Sequence, residues 1–227
     1  MKLFQVIILL MAATVQAEEY YVSKEGNDIN PGSLSRPWLT IQKATTTLAA
    51  GDTVYIRGGR YKERVVPKRS GIAGKPITYT AYPNEIATID GSGIRLPSDW
   101  GGLLDISGKN YIYISGLWIT NAGPNDNNPG ILVDNSGHVT LAGNTIYNTV
   151  SSGIGVWNSF DITIDNNLGE VTAFADTDAT FVEGKPAWTV KIGEKDGRKF
   201  ARLFGKIVLI KENEEEVSGS IGYPLSW

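Results

Sequence analysis

A pattern of alternating polarity recurs three times in the middle of the 227-residue sequence. Tyr111–Ile114 aligns with His138–Leu141 after 27 positions, and that segment aligns with Asp161–Ile164 after 23 more. The preceding strands and the following turns align in the same frame: Leu104–Ile106 with Ile131–Val133 and Ile154–Val156, and Ser115-Gly116 with Ala142-Gly143 and Asp165-Asn166. An offset that holds for two strands and a turn predicts stacked units that share one core.

Each repeat contains two short strands, and the alternation gives each strand one apolar face. A single repeat cannot bury both faces, whereas coils stacked about 4.8 Å apart bury both and pair each strand with its equivalents above and below. The expected inward columns are Leu104, Ile106, Ile131, Val133, Ile154 and Val156, and Ile112, Ile114, Val139, Leu141, Ile162 and Ile164. The sequence therefore predicts an all-β fold, a parallel β-helix solenoid, rather than a propeller, a leucine-rich repeat or a sandwich.

Asparagine recurs at the corners of these coils. Asn121 aligns with Asn148, and Asn144 aligns with Asn167. We expect each pair to stack as an amide ladder.

The N-terminal region has a different pattern. Ile41, Ala44 and Leu48 recur at helical spacing after Thr40, a typical N-cap residue, and Gly51 is expected to end the helix. Short strands are predicted on either side of this capping helix, at Tyr20–Ser23, Thr53–Ile56, Val65-Val66, Pro76–Ala81 and Ile86–Ile89.

The chain begins with the features of a signal peptide. Lys2 precedes an apolar stretch, Leu3–Val15, and Val15-Gln16-Ala17 has small residues at the cleavage positions. The stretch is shorter than the ~20 residues of a membrane span. We therefore expect cleavage after Ala17 and a secreted monomer, extracellular or periplasmic, that makes no membrane contact.

The remaining chain divides into three predicted regions. Residues 18–50 form an N-terminal strand and the capping helix, residues 51–171 form the β-helix coils, and residues 172–227 form a C-terminal β-hairpin segment of unknown role. This last segment is rich in charge. It is either a module that covers the open end of the helix or foreign sequence after a truncation or fusion.

Composition excludes several kinds of site. The sequence has no cysteine and one histidine, so disulfides, thiolate nucleophiles and His-rich metal sites are not supported. The net charge is −3, which gives no basic footprint for nucleic acid.

Candidate ligand-binding residues follow from the same alternation. Ser107, Asp134 and Trp157 should form one outward column, and Asp105, Leu132 and Gly155 the neighbouring one. Asp105 and Asp134 lie one coil apart, and Asp126 belongs to an oxygen-rich loop before the Asp134 strand. Carboxylate and amide oxygens suit Ca²⁺, so these three residues are predicted to bind calcium or a uronate. The alternative is that they are solvated surface residues.

Aromatic and basic residues supply further candidates. Trp157 and Trp100 are predicted to stack on a sugar ring, although both could instead pack against the protein. Lys109 is the nearest candidate for a catalytic base. A group of basic residues near the first coil either attracts acidic polysaccharide or faces solvent: Arg57, Arg60, Arg64, Lys68 and Arg69.

Over about Tyr20 to Asn167, the chain also resembles a known superfamily. The segments that carry the resemblance are Tyr20–Ser23, Asn30–Gly32, Pro37-Trp38, Thr40–Ala44, Gly51–Tyr61, Gly74–Ile77 and Ala81–Pro83. They are similar to the N-terminal region of right-handed parallel β-helix proteins of the pectate-lyase-like superfamily, above all family nine pectate lyases and related uronic polysaccharide lyases.

The resemblance implies β-elimination on an acidic polysaccharide. In such enzymes the uronate carboxylate is neutralised, usually by Ca²⁺ held by Asp and Glu, and a Lys or Arg removes the C5 proton. No stretch of this sequence matches the calcium-carboxylate cluster or the catalytic lysine motif. Three interpretations therefore stay open: a polysaccharide lyase, a non-catalytic carbohydrate-binding β-helix, and a truncated inactive fragment.

Overall fold

The computed structural model of the chain describes residues 16–97, 100–125 and 127–167, and beyond these the backbone of six short strands. Most of the predicted signal peptide, residues 1–17, lies outside the described residues. Within the described part of the chain, no helix has the length and apolar character needed to cross a bilayer.

The described chain contains one helix and nineteen strands. In chain order they are β1 (Glu19–Val22), α1 (Ile41–Thr47), β2 (Thr53–Ile56), β3 (Gly59–Tyr61), β4 (Ile77–Ala81), β5 (Ala87–Asp90), β6 (Leu104–Asp105), β7 (Asn110–Ser115), β8 (Trp118–Thr120), β9 (Ile131–Asp134), β10 (Gly137–Ala142), β11 (Thr145–Tyr147), β12 (Ile154–Trp157), β13 (Phe160–Asp165), β14 (Val171–Ala173), β15 (Val190–Lys191), β16 (Gly193–Lys195), β17 (Arg198–Leu203), β18 (Lys206–Lys211) and β19 (Glu216–Ser220).

Three parallel sheets wrap around one core. The first has the order β1-β2-β4-β7-β10-β13, the second β11-β8-β5-β3 and the third β14-β12-β9-β6. Successive strands of the chain pass from one sheet to the next, which makes a solenoid of about four turns and confirms the predicted fold class.

The prediction of two strands per repeat is wrong, because each complete coil has three. The additional strands are β8 and β11, which pair in parallel from Trp118↔Thr145 to Thr120↔Tyr147. Each is only three residues long and points a single side chain, Ile119 or Ile146, into the core. A strand with one inward residue gives too little alternation to be detected in sequence.

The predicted apolar columns are confirmed. Val139 of β10 pairs with Ile112 of β7 on one side and with Ile162 of β13 on the other. All three side chains are at most 1% exposed. Burial of such columns is the main favourable contribution to folding in a chain without disulfides.

Helix α1 covers the N-terminal end of this core with Ile41 and Ala44. Thr40 is the N-cap as predicted, and its hydroxyl accepts the N–H of Lys43 at 3.1 Å. The helix ends at Thr47 rather than near Gly51. Thr45, Thr46 and Thr47 each donate a hydroxyl to a helix carbonyl, and such β-branched, back-bonding residues disfavour continuation.

The corners repeat in conformation as well as in sequence. Gly116, Gly143 and Asn166 occupy equivalent positions and all have φ between 52° and 67°. Both predicted asparagine ladders are present. Asn144 hydrogen-bonds Asn167 at 2.9 Å, and the side-chain amide of Asn148 donates to Oδ1 of Asn121.

One other predicted strand differs from the structure. Val65 forms only an isolated bridge with Leu104, so the predicted Val65-Val66 strand does not extend into a ladder. In the C-terminal region, β16 to β19 form a separate antiparallel sheet whose central pair is β17–β18, and β15 pairs antiparallel with β13.

Candidate functional site

The candidate site lies on the outer face of the sheet formed by β6, β9 and β12. These strands are in register from Leu104 through Ile131 to Ile154, all of which point inward and are at most 1% exposed. Asp134 and Trp157 pair one coil apart and are half-buried on the outside, as predicted. The alternation of the strands therefore places both side chains on one face.

Trp157 lies flat along this face. Its indole folds back over Gly155 so closely that a Cβ there would collide with the ring. A glycine at position 155 is what lets the ring lie against the sheet. The same hypothetical Cβ would be 3.2 Å from Cγ of Pro129, so Pro129 also lies close to the backbone of Gly155.

Trp100 comes to the same face from the segment that connects β5 and β6. Its ring packs edge-to-face against Trp157, with the ring centroids 4.3 Å apart and an interplanar angle of 73°. Its indole Nε1 donates to Oδ2 of Asp134 at 3.3 Å. Asn158 donates to Oδ1 of the same carboxylate at 3.2 Å. The two tryptophans and Asp134 therefore form one cluster, which we call the Trp100 cluster.

Buried amides hold the segment that carries Trp100. Asn128, which is fully buried, donates its side-chain amide to the carbonyl oxygens of Pro97 at 3.0 Å and Gly101 at 2.9 Å. Nε of Arg64 donates to the carbonyl oxygen of Gly102 at 3.0 Å. These bonds fix the crossing segment on both sides of Trp100.

The same segment covers the neighbouring outward column. Leu132 points outward as predicted and does not belong to the core cluster, yet it is fully buried. The backbone at Gly102 passes close above it. Leu132 is therefore not part of an exposed surface, because the connection between β5 and β6 crosses over it.

Asp105 is an ion-pair partner rather than an exposed carboxylate. Its Oδ2 is 2.6 Å from Nη2 of Arg64, and its Oδ1 accepts from the hydroxyl of Ser107 at 2.6 Å and from the Ser107 N–H at 3.0 Å. The residue is 7% exposed. The structure thus separates Asp105, which faces Arg64, from Asp134, which faces the two tryptophans.

The predicted calcium ligands are only partly described by the structure. Within residues 16–97, 100–125 and 127–167, no three His, Asp or Glu side chains converge as metal ligands. Asp105 already has partners for both oxygens. Asp126, the third predicted ligand, lies outside the described residues.

Lys109 lies at the corner that follows β6. Its ammonium donates to the carbonyl oxygens of Ser107 at 3.2 Å and Gly108 at 3.5 Å. These contacts direct the amine to its own turn. His138, the one histidine, is half-buried near the start of β10, where it stacks on Tyr111 and lies 2.6 Å from Asp161.

The predicted basic group is largely neutralised. Arg57 pairs with Glu85 at 2.7 Å, Arg60 with Asp90 at 2.8 Å and Arg64 with Asp105 at 2.6 Å. Arg69 donates instead to the carbonyl oxygens of Thr47 and Leu48 at the end of α1. These arginines are thus structural partners and do not form a free cationic patch.

Sequence reasoning missed Asn158 and the role of Arg64. Asn158 precedes a strand in a turn, and its αL conformation, φ 43°, is a common property of asparagine that carries no functional signal. Arg64 meets Asp105 across 41 positions of sequence, with no periodic pattern between them.

The cluster has the chemistry of a carbohydrate surface. Aromatic rings offer an apolar face to the C–H groups of a sugar, and a carboxylate accepts hydrogen bonds from its hydroxyls. Trp100 is 36% exposed and Asp134 is half-buried, so both can contact a ligand while their own partners fix their orientation.

Comparisons with known proteins agree with this architecture. A family model described as "Pel9A-like, right handed beta helix region" matches residues 20–202. The uncharacterized protein YwoF of Bacillus subtilis (strain 168) is 42% identical over 99 residues, which is 44% of this chain and 21% of that protein. Pectate lyase PEL9 of Emericella nidulans is 34% identical over 103 residues, which is 44% of this chain and 25% of that protein.

The chain thus spans about a quarter or less of the length of these curated relatives. Among solved structures, GH136 lacto-N-biosidase from Eubacterium ramulus superposes with a TM-score of 0.55 at 16% identity, over 66% of this chain and 34% of that one. At that identity the similarity establishes a shared fold and nothing about activity.

Proposed function

Because the chain belongs to the Pel9A-like right-handed β-helix family, we propose that it is a polysaccharide-active protein that holds a uronic polymer on the Trp100 cluster. The reaction it would serve is β-elimination, as the pectate lyase name of one relative suggests. The observation that carries the proposal is the edge-to-face pair of Trp100 and Trp157 beside Asp134 on the exposed side of the β6-β9-β12 sheet.

The geometry supports binding in three ways. The sheet supplies a rigid floor, since Leu104, Ile131 and Ile154 are locked in the core beneath it. The tryptophan pair supplies apolar ring surface, and the partners of Asp134 hold its carboxylate in a fixed orientation. Sites built on regular elements with fixed partners lose little entropy on binding.

Binding of hexagalacturonate by isothermal titration calorimetry tests the proposal. We expect Trp157→Ala to weaken binding about tenfold or more, a loss of about 1.4 kcal/mol. Phe160→Ala is the matched control, because Phe160 is an aromatic residue 49% exposed on the adjacent first sheet and should leave the affinity unchanged. Equal affinities of the wild type and the Trp157→Ala protein, with both folded by circular dichroism, would refute the role of the cluster.

A second candidate function is binding without turnover. Lys109 is engaged by the carbonyls of its own turn, and no cation other than the paired Arg64 is placed near the cluster among the described contacts. A polysaccharide lyase must release an unsaturated product that absorbs in the ultraviolet. Binding of pectate, alginate or chondroitin without such a product selects this second function. In that case Lys109→Met should leave the affinity for the bound polysaccharide unchanged.

We propose that the chain is secreted after cleavage at Ala17, that it is a monomer and that Ca²⁺ assists uronate binding. The mass of protein recovered from the periplasm or medium tests cleavage, and light scattering tests the monomer. Retention of residues 1–17 in the exported protein would contradict the first. Unchanged hexagalacturonate affinity after chelation of Ca²⁺ would contradict the third.

A further inference from the structure

The second sheet carries another aromatic and polar surface, around one corner from the Trp100 cluster. Arg60, Thr88, Trp118 and Thr145 are equivalent residues on successive coils and point outward from this sheet. Tyr147 belongs to the neighbouring outward column and is 41% exposed. We call this region the Trp118 surface.

Trp118 has ring surface that its column neighbours cannot cover. Thr88 and Thr145 flank it on the adjacent coils, and threonine is too short to stack over an indole. Tyr147 meets it edge-to-face, with centroids 5.9 Å apart and an interplanar angle of 86°. By contrast, Tyr21 and Tyr55 on the first sheet stack on each other at 5.3 Å and 20°, which hides one face of each ring.

A polar ladder runs beside these two rings. The side-chain amide of Asn121 donates to Oδ1 of Asp90 at 2.7 Å and to the hydroxyl of Ser92 at 2.8 Å. Asn148, on the next coil, donates to Asn121 and is exposed. The ladder therefore ends in an amide that can still bond a ligand hydroxyl.

The charges of this surface cancel internally. Nη1 of Arg60 is 2.8 Å from Oδ2 of Asp90, whose side chain is 2% exposed. Thr120, beside Asp90 in the same column, has a buried hydroxyl oxygen without a hydrogen-bond partner. The surface thus combines the half-buried ring of Trp118, the exposed ring of Tyr147, hydrogen-bonded amides and a neutralised Arg–Asp pair.

We propose that the Trp118 surface is a second carbohydrate-binding site, and that it takes a neutral saccharide segment. The indole and phenol offer apolar faces to pyranose C–H groups, and Asn148 offers an amide to the hydroxyls. A uronate would need an uncompensated cation, and Arg60 already neutralises Asp90. The site does not depend on the function proposed for the Trp100 cluster.

Titration of the full chain with cellohexaose, xylohexaose and β-1,4-galactohexaose tests this inference. At least one of them should bind the wild type, and its affinity should fall about tenfold or more in both Trp118→Ala and Tyr147→Ala, the loss expected for an aromatic contact. The affinity for hexagalacturonate should be the same in both variants as in the wild type.

Two controls keep the two sites distinct. Trp157→Ala and Phe160→Ala should leave neutral hexasaccharide binding unchanged. Tyr147→Ala decides alone if Trp118→Ala fails to fold, because Tyr147 is largely outside the core. The inference is overturned if none of the three neutral hexasaccharides binds, if Tyr147→Ala binds as the wild type does, or if binding follows Trp157 instead.

Discussion

The backbone N–H and the side-chain amide of Asn144 both donate to Oδ1 of Asn167, each at 2.9 Å, across one coil of the solenoid. Oδ1 of Asn144 in turn accepts the N–H of Leu117 at 3.0 Å on the coil before. Each asparagine thus satisfies a corner N–H that the parallel ladders leave unpaired, inside a region from which water is excluded.

Asn144→Ala should therefore destabilise the fold strongly. Asn144 is fully buried, and its loss would leave the Leu117 N–H and Oδ1 of Asn167 with fewer partners. We expect the free energy of unfolding in urea to fall by about 2 to 4 kcal/mol. Asn148→Gly is the control, since Asn148 belongs to an exposed ladder, glycine tolerates its φ of 54°, and the variant should lose less than about 1 kcal/mol. Similar losses in the two variants would show that burial of the ladder is unimportant.

The core columns make a second prediction. Ile114 is fully buried between Tyr79 and Leu141 of the adjacent coils. Truncation to alanine removes buried methyl groups and leaves a cavity, so Ile114→Ala should cost about 2 to 5 kcal/mol of unfolding free energy. Thr140→Ala, on the outward side of the neighbouring strand, should change it by less than about 0.5 kcal/mol. A small loss for Ile114→Ala would mean that the coils do not share one core.

The parts of the fold that could be predicted from sequence are those with a period. Ile112, Val139 and Ile162 alternate with polar residues and recur at fixed offsets, so both their direction and their neighbours follow from the pattern. Strands β8 and β11 could not be found in this way, because each contributes one inward residue.

Only part of the candidate site could be predicted from the sequence in this way. Alternation places Trp157 and Asp134 on the outer face, and the structure agrees. Trp100 comes to them on a connection without periodicity, so its contact with both residues depends on tertiary hydrogen bonds from Asn128. The same crossing segment buries Leu132, which alternation alone would leave exposed.

The hydrogen bonds of Asp90 lead to a third prediction, which concerns how the free energy of unfolding changes at acid pH. Burial opposes ionisation of this carboxyl, but hydrogen bonds from Asn121, Ser92 and Arg60 outweigh it and hold the pKa of Asp90 well below its ordinary value of 3.8. A carboxyl with a depressed folded-state pKa stabilises the fold above the unfolded value, and this contribution is lost as pH falls toward the folded value.

Asp90→Asn should therefore be less stable than the wild type at neutral pH, and the difference should shrink as pH falls below about 3.8. Urea denaturation at several pH values between neutral and strongly acidic measures it. Glu25→Gln, at an exposed carboxylate, should follow the wild type throughout. A gap between Asp90→Asn and the wild type that stays constant with pH would contradict the assignment.

Arg64 and Asp105 make the last prediction, because their pairing competes with a role for Asp105 in binding calcium. The side chain of Asp105 is 9% exposed and that of Arg64 30% exposed. Arg64→Met removes the cation and leaves a poorly solvated carboxylate, so it should lower the free energy of unfolding by about 3 kcal/mol, the low end for a buried pair. Adding Asp105→Asn to that variant should recover part of the loss, since the uncompensated charge is then gone.

If Asp105 is held by Arg64 rather than by a metal, Ca²⁺ should shift the melting temperature of the wild type and of Asp105→Asn equally. A calcium-dependent shift that disappears in Asp105→Asn would instead make Asp105 a calcium ligand and the ion pair with Arg64 its metal-free alternative.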